Sequence, residues 1–203
     1  MWNEKFDRPD HLYGVEPNDF LRESSDGLPV NGRVISLGEG EGRNATFLAK
    51  KGFAVTALDS SSVGLEKTKR LAETSGVSVE TKLADLATCD LGDRAWDGVV
   101  VIFCHLPRAL RQEVWSKIAT SLRPGGVLLM ELYTPKQLDA TKAGRSVGGP
   151  KDLDLLVTAD EVRKAFPQME FQVLREVERE IHEGEGHKGP SHTVQVLGKS
   201  QLV

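Results

Sequence analysis

A glycine loop and two aspartates are spaced so that they could do chemistry. Gly38-Glu39-Gly40-Glu41-Gly42 follows the apolar run Val34–Leu37 and precedes a helical pattern that begins at Arg43. Glycine is used where a backbone turns sharply or comes close to a ligand. A loop that leaves a strand and enters a helix can point its amides at a bound molecule. Asp59 ends the next apolar run, VTALD, where a carboxylate can accept both hydroxyls of a ribose. Asp85 follows a third run, in LADLA, and can accept from an adenine amino group while Leu86 packs on the ring. A plain loop cap is the other reading of Asp85. The chemistry this set suggests is the binding of a nucleotide-like cofactor.

Three cofactors compete for such a loop. A P-loop needs GxxxxGK[ST], and counted from Gly38 its second glycine falls on Arg43. The only Gly-Lys-Ser, Gly198–Ser200, has no helix to follow. A dinucleotide loop needs GxGxxG, and its third glycine also falls on Arg43. S-adenosyl-L-methionine (SAM) is the third. It has no phosphate, so Glu39 and Glu41 would not repel it as they would a pyrophosphate. Glutamates that point to solvent are the alternative, more so for Glu41 than for Glu39. Asp59 suits NAD and SAM equally.

The elements that must position these groups alternate. Strands are expected at Val34–Leu37, Ala54–Leu58, Val77–Leu83, Trp96–Phe103 and Val127–Tyr133. Helices are expected at Arg43–Lys51, near Val63–Thr74, and from Pro107 with Leu110, Val114, Ile118 and Leu122 on one stripe. WDGVVVIF is apolar without interruption, as a strand buried on both faces should be. Thr158-Ala-Asp-Glu161 is a capping box that starts a helix to about Phe166. Glu170–Glu180 and His192–Gly198 close the chain as a hairpin with a long glycine-rich loop between them. The pattern predicts an α/β fold, a Rossmann-like seven-stranded and mostly parallel sheet with one antiparallel strand from the C-terminal hairpin and helices on both faces. A single domain over 1–203 is expected. Residues 1–30 would form a helical cover, and 134–156 a mobile loop that is either a candidate lid or a plain surface loop.

In this order and spacing, VISLGEGEGRNA, VTALDSSS, LADLATCD, WDGVVVIF and LRPGGVLLMELYT resemble the motif series of class I SAM-dependent methyltransferases. The resemblance covers most of Arg33–Tyr133. It departs at Ser36, where many members carry an acid. It implies a SAM site built from Gly38, Glu39, Gly40, Gly42 and Asn44 of the loop, Asp59 and Ser60 after the second strand, Asp85 and Leu86 after the third, and Phe103 after the fourth. S-adenosylhomocysteine would be the product. The opening segment, Trp2-Asn-Glu-Lys-Phe through Tyr13-Gly-Val-Glu-Pro, and the final Glu-Gly-His187-Lys188 through His192-Thr-Val resemble the small-molecule branch with TehB-type tellurite and thiopurine S-methyltransferases.

That branch implies a small, soft acceptor, a sulfur, selenium or tellurium centre. In TehB-like enzymes a basic cluster in the final loop is thought to orient an oxyanion. His187-Lys188 matches its His-Arg pair, and the later arginine has only His192 as a counterpart. A solvated hairpin turn is the alternative reading of that loop. A metal held by its histidines with Glu183 or Glu185 is less favoured, because no zinc-ligand spacing is present, and no metal is expected. His105 stands at the sheet edge where ligands bind in open α/β folds and is the third candidate catalytic residue, with a packed loop histidine as the alternative. The Asn/Asp-Pro-Pro-Tyr segment of amino-group methyltransferases is missing at Phe103-Cys-His105-Leu-Pro. Trp2, Phe6 and Tyr13 could cover SAM or simply pack a helix. An NAD(P)-dependent oxidoreductase and a SAM-binding regulator without catalysis are the rival functions.

Composition fits these expectations. The chain has 203 residues, 39% apolar and 28% charged, with a net charge of −4. No long basic stripe suits nucleic acid. No apolar run reaches the ~20 residues that span a bilayer, and the N-terminus lacks a signal-peptide pattern. A cytoplasmic protein with a small-molecule acceptor is expected, with no nucleic-acid or membrane partner, as a monomer or weak homodimer. The two cysteines, Cys89 and Cys104, are expected free, with Cys104 a buried packing residue.

Overall fold

The computed structural model describes residues 2–201. Seven strands form one sheet in the order β3-β2-β1-β4-β5-β7-β6. They are β1 (Arg33–Leu37), β2 (Ala54–Asp59), β3 (Glu80–Leu83), β4 (Trp96–Ile102), β5 (Leu122–Tyr133), β6 (Met169–Glu183) and β7 (His187–Ser200). β1 to β5 pair in parallel, and β7 runs antiparallel to both β5 and β6. This is the Rossmann-like architecture read from the sequence.

The alternation of side chains along β4 explains its unbroken apolar run. Val99 and Val101 face a core with Val114, Trp115 and Ile118 of α5 (Arg108–Ser121) and Val162 of α7 (Ala159–Ala165). Val100 and Ile102 face the other core, with Phe20 and Leu21 of α2 (Asp19–Ser24), Ala45 and Leu48 of α3 (Arg43–Lys50) and Leu65 of α4 (Ser62–Thr74). A strand with helices on both sides has no polar face to show. Leu122, expected on the α5 stripe, is instead the first residue of β5 and is fully buried.

Three segments differ from expectation. The third strand starts at Glu80 rather than Val77. The loop expected over 134–156 contains a helix, α6 (Gln137–Lys142), and a 3-10 turn at Leu153–Leu155. Tertiary hydrogen bonds fix this short helix. Buried Gln137 donates to Ser146 Oγ (2.9 Å) and accepts from the His192 amide (2.8 Å). The C-terminal hairpin has no long loop. Its register runs to Glu183↔His187, leaving a turn of Gly184, Glu185 and Gly186. Both glycines are steric requirements. A Cβ on Gly184 would overlap the Leu12 carbonyl, and one on Gly186 would overlap the Tyr13 ring. The residues after α1 (Trp2–Phe6) therefore press directly on the hairpin turn.

Candidate active site

One cavity, of about 160 Å³, lies at the carboxyl ends of β1, β2 and β4. Open α/β sheets bind ligands there, at the point where strand order reverses. The glycine loop forms its floor. The Gly38 and Glu39 amides donate to the Leu58 carbonyl (2.8 and 3.2 Å), and the Gly40 amide donates to Asp59 Oδ2 (2.8 Å). Gly38 and Gly42 have φ of +64° and +93°, and a Cβ on Gly42 would stand 2.6 Å from the Thr68 Cα of α4.

The two glutamates of the loop do not point into solvent. Glu39 Oε1 accepts from the Asn44 and Ala45 amides (3.1 and 2.9 Å) at the start of α3, and Ser36 Oγ donates to Oε2. A carboxylate from position 39, held by Ser36, thus caps the start of α3. Burial raises the Glu39 pKa above the usual carboxylate range. Glu41 is buried and paired with Lys67 Nζ (2.8 Å). Glu41 is thus paired with a cation, whereas Glu39 lines the cavity on hydrogen bonds, so the charge argument against NAD rests on Glu39.

Asp59 is buried at the end of β2 and also accepts from the Ser61 amide (2.7 Å). Burial raises its pKa against the opposing pull of these amides. Ser60 lies beside it on the rim. Asp85 stands at the exposed mouth, where one oxygen accepts from the Ala87 amide (2.9 Å) and caps the turn. Buried Leu86 follows it on the cavity wall. The loop-cap reading of Asp85 is thus seen, and the cap leaves its second oxygen at the mouth of the cavity.

Aromatic rings close the rest. Trp2 and Phe6 stack at 5.5 Å, Tyr13 lies 4.4 Å from the His187 ring, and Phe103 lies 4.5 Å from it. Phe103 adopts φ +51°, a left-handed conformation that is costly for a bulky residue and concentrates at functional sites. The cover is tied down by Asn3 Oδ1, which accepts from Ser61 Oγ (2.7 Å), and by an Arg8–Glu185 ion pair (2.8 Å).

Of the three expected catalytic residues, the structure separates two that adjoin in sequence. His187 is buried in the cavity wall, whereas Lys188 is exposed and lines no part of it. Successive residues of a strand face opposite sides, and β7 begins at His187. His182 is exposed too, and His192 Nδ1 lies 3.1 Å from Thr134 Oγ1, away from this cavity. His105 does line it, but both ring nitrogens are occupied. Nδ1 meets the Leu155 carbonyl (2.9 Å) and Nε2 meets the Tyr133 amide (3.4 Å). Burial lowers its pKa to about 4, and lowers that of His187 well below the ordinary value. Cys104 is half-buried, packs against the core that contains Val99 and Val101, and also lines the cavity. Burial, then Asp59, pushes its thiol up to about 12.

Sequence reasoning assigned no site role to Arg43 or Cys104. Arg43 was legible only as the residue that spoils two glycine motifs, and Cys104 as part of an apolar run. Among the described residues no cluster of His, Cys, Asp and Glu is placed to hold a metal, and no helix is long and apolar enough to cross a membrane.

The cavity fits SAM. Asp59 keeps lone pairs for ribose hydroxyls, and Asp85 with Leu86 can hold adenine. Gly38 leaves a cradle that a Cβ would fill against Cys104, and Arg43 keeps an unpartnered Nη1 for a carboxylate. Residues 34–126 match a family model described as a methyltransferase domain. The tRNA 5-carboxymethoxyuridine methyltransferase of Escherichia coli (strain K12) is 31% identical over 146 residues, 64% of this chain and 54% of that protein. The chain thus spans about half the length of that curated relative. TehB from Haemophilus influenzae has the same fold, with a TM-score of 0.70, 19% identity, and coverage of 90% of this chain and 61% of that one. A protein solved for the conversion of a disulfide bond into a thioacetal group during echinomycin biosynthesis superposes with a TM-score of 0.72 at 19% identity, covering 97% and 88%. The domain match supports the methyltransferase expectation over the oxidoreductase alternative.

Proposed function

We propose that this chain, whose residues 34–126 match a methyltransferase domain, is a SAM-dependent methyltransferase that acts on a small soft nucleophile at a sulfur, selenium or tellurium centre. Bound SAM supplies a methyl group on a sulfonium, activated for in-line displacement. The chain's part is to hold the two reactants together, which is worth about 7–11 kcal/mol of barrier when done well. Asp59 orients the ribose, and the glycine loop and Phe103 confine the methionine arm. Tyr13, Phe103 and His187 form an aromatic wall suited to a polarizable chalcogen.

The observation that carries this reading is the weakness of the imidazole bases in the cavity wall, because burial holds His105 and His187 well below the ordinary histidine pKa. His105 spends both nitrogens on backbone groups, and Cys104 stays a protonated thiol. The acceptor must therefore arrive ready to react, as a thiolate or chalcogen anion does near neutral pH. The aromatic cover of Trp2, Phe6 and Tyr13 on the cavity wall supports a small acceptor.

Transfer to a tRNA is the second reading, favoured by the 31% identity to the E. coli enzyme. One experiment separates them. Purified protein is incubated with methyl-labelled SAM and thiols, selenite or tellurite, and in parallel with total tRNA. Label in the small chalcogen product supports the proposal. Label in tRNA alone sinks it.

A further inference from the structure

We propose that Arg43 Nη1 is a carboxylate-binding subsite of the cavity, aimed from the hairpin by Glu183. The inference rests on the methyltransferase reading for the identity of the carboxylate.

Arg43 opens α3 directly after the glycine loop and is only 6% exposed. Its Nη2 donates to Glu183 Oε2 at 2.5 Å, and its Nη1 has no partner although it is buried. A buried guanidinium arm without an acceptor is costly and rare, and it calls for an explanation such as a missing ligand. A second polar atom without a partner, His187 Nδ1, belongs to the wall of the same cavity.

Glu183 cannot swing away. It ends β6 at the hairpin turn, and its Oε1 accepts from Asn18 Nδ2 (2.9 Å) and Arg179 Nη2 (3.0 Å). Arg179 in turn grips fully buried Glu131 with Nε and Nη2 (2.9 and 2.8 Å). Glu131 also accepts from Asn18, Thr193 and Gln195 (2.6, 2.8 and 3.0 Å). Arg179 also pairs with Asp19 (3.3 Å), which Arg22 holds in turn, so three guanidinium groups and three carboxylates cancel and this network adds no excess charge. One free arm on a neutral cluster suits a monoanion, and the planar fork of arginine suits a carboxylate. A doubly charged phosphate would find no second cation.

Two carboxylates could use it, the methionine carboxylate of SAM or one on the acceptor. The test is calorimetric titration with S-adenosylhomocysteine and with 5′-methylthioadenosine, which keeps the nucleoside and sulfur but lacks the amino acid. The variants are Arg43→Lys, which keeps the charge against Glu183 but loses the fork, and Glu183→Gln. A parallel titration adds mercaptoacetate or mercaptoethanol to the S-adenosylhomocysteine complex.

The expected result is a loss of at least about tenfold in S-adenosylhomocysteine affinity in R43K, and a smaller loss in E183Q. 5′-Methylthioadenosine should bind all three proteins alike, which also shows that the variants are folded. If only mercaptoacetate binding falls, the subsite serves the acceptor. The proposal is overturned if R43K leaves all four ligands unchanged, or if both nucleosides weaken in parallel, since that marks a structural role. Failure of the wild-type protein to bind either nucleoside would instead defeat the methyltransferase reading itself.

Discussion

The Gly40 amide and the Asp59 carboxylate are joined across 2.8 Å, so the acid expected to hold a ribose also holds the loop beneath it. Asp59→Asn keeps an oxygen for one amide, and Asp59→Ala keeps none. We expect both to lower SAM affinity by at least about tenfold, as the loss of a charged hydrogen bond should. Only Asp59→Ala should also lower the melting temperature. Calorimetry and thermal unfolding check the two effects separately. An Asp59→Asn protein with wild-type affinity would remove Asp59 from the cofactor site.

Gly38→Ala should fail on two counts. Its Cβ would overlap Cys104 Sγ, and its φ of +64° disfavours any side chain. The cost should exceed about 1 kcal/mol in denaturant unfolding. Adding Cys104→Ala should restore part of it, because the overlap with Sγ is relieved while the Cβ at position 104 stays 2.8 Å away. Full restoration by the double variant would show that the backbone conformation carries no strain.

Acid should unfold this protein in a window set partly by His105. Burial first, and then the Arg111 charge, holds it neutral down to about pH 4. The unfolded chain takes up a proton near pH 6.5, and the folded one refuses it. The stability this group contributes is whole above pH 6.5 and is lost as pH falls from 6.5 to about 4, by roughly 3 kcal/mol. His187, also held neutral by burial, acts in the same direction. Denaturant unfolding at pH 7.5 and 4.5 should show a smaller drop in His105→Ala than in wild type. An equal drop would refute the assignment.

His187→Ala and Lys188→Ala should differ although the residues adjoin. The first removes part of the cavity wall and should lower kcat/KM for the acceptor by about tenfold or more. The second alters an exposed side chain, where changes are usually within ~0.5 kcal/mol, and should leave small-acceptor turnover near wild type. Equal defects in steady-state kinetics would bring Lys188 back into the site.

Thr158 and Glu161 form a reciprocal capping box at the start of α7. Thr158→Ala should cost about 1 kcal/mol of stability in equilibrium unfolding and leave SAM affinity unchanged. A change in affinity would show that α7 is coupled to the cavity.

The sequence by itself determined the order of the strands, the helices α3, α4, α5 and α7 between them, the glycine loop, Asp59 and the α7 cap, but not α6. Each of these is a local signal. An apolar run buried on both faces, a glycine at a sharp turn and a Thr-x-x-Glu box depend on neighbours a few residues away. Tertiary structure alone decided the direction of charged side chains. Glu39 and Glu41 lie in one loop, yet one caps α3 and the other pairs with Lys67, because α3 and α4 happen to offer those partners. His187 and Lys188 were separated by a strand register that reaches farther than the glycine-rich composition of the turn suggested. Arg43 gained its place from Glu183, 140 positions away. No pattern along the chain reports a partner at that distance, since burying both charges together depends on the hairpin folding back over the loop.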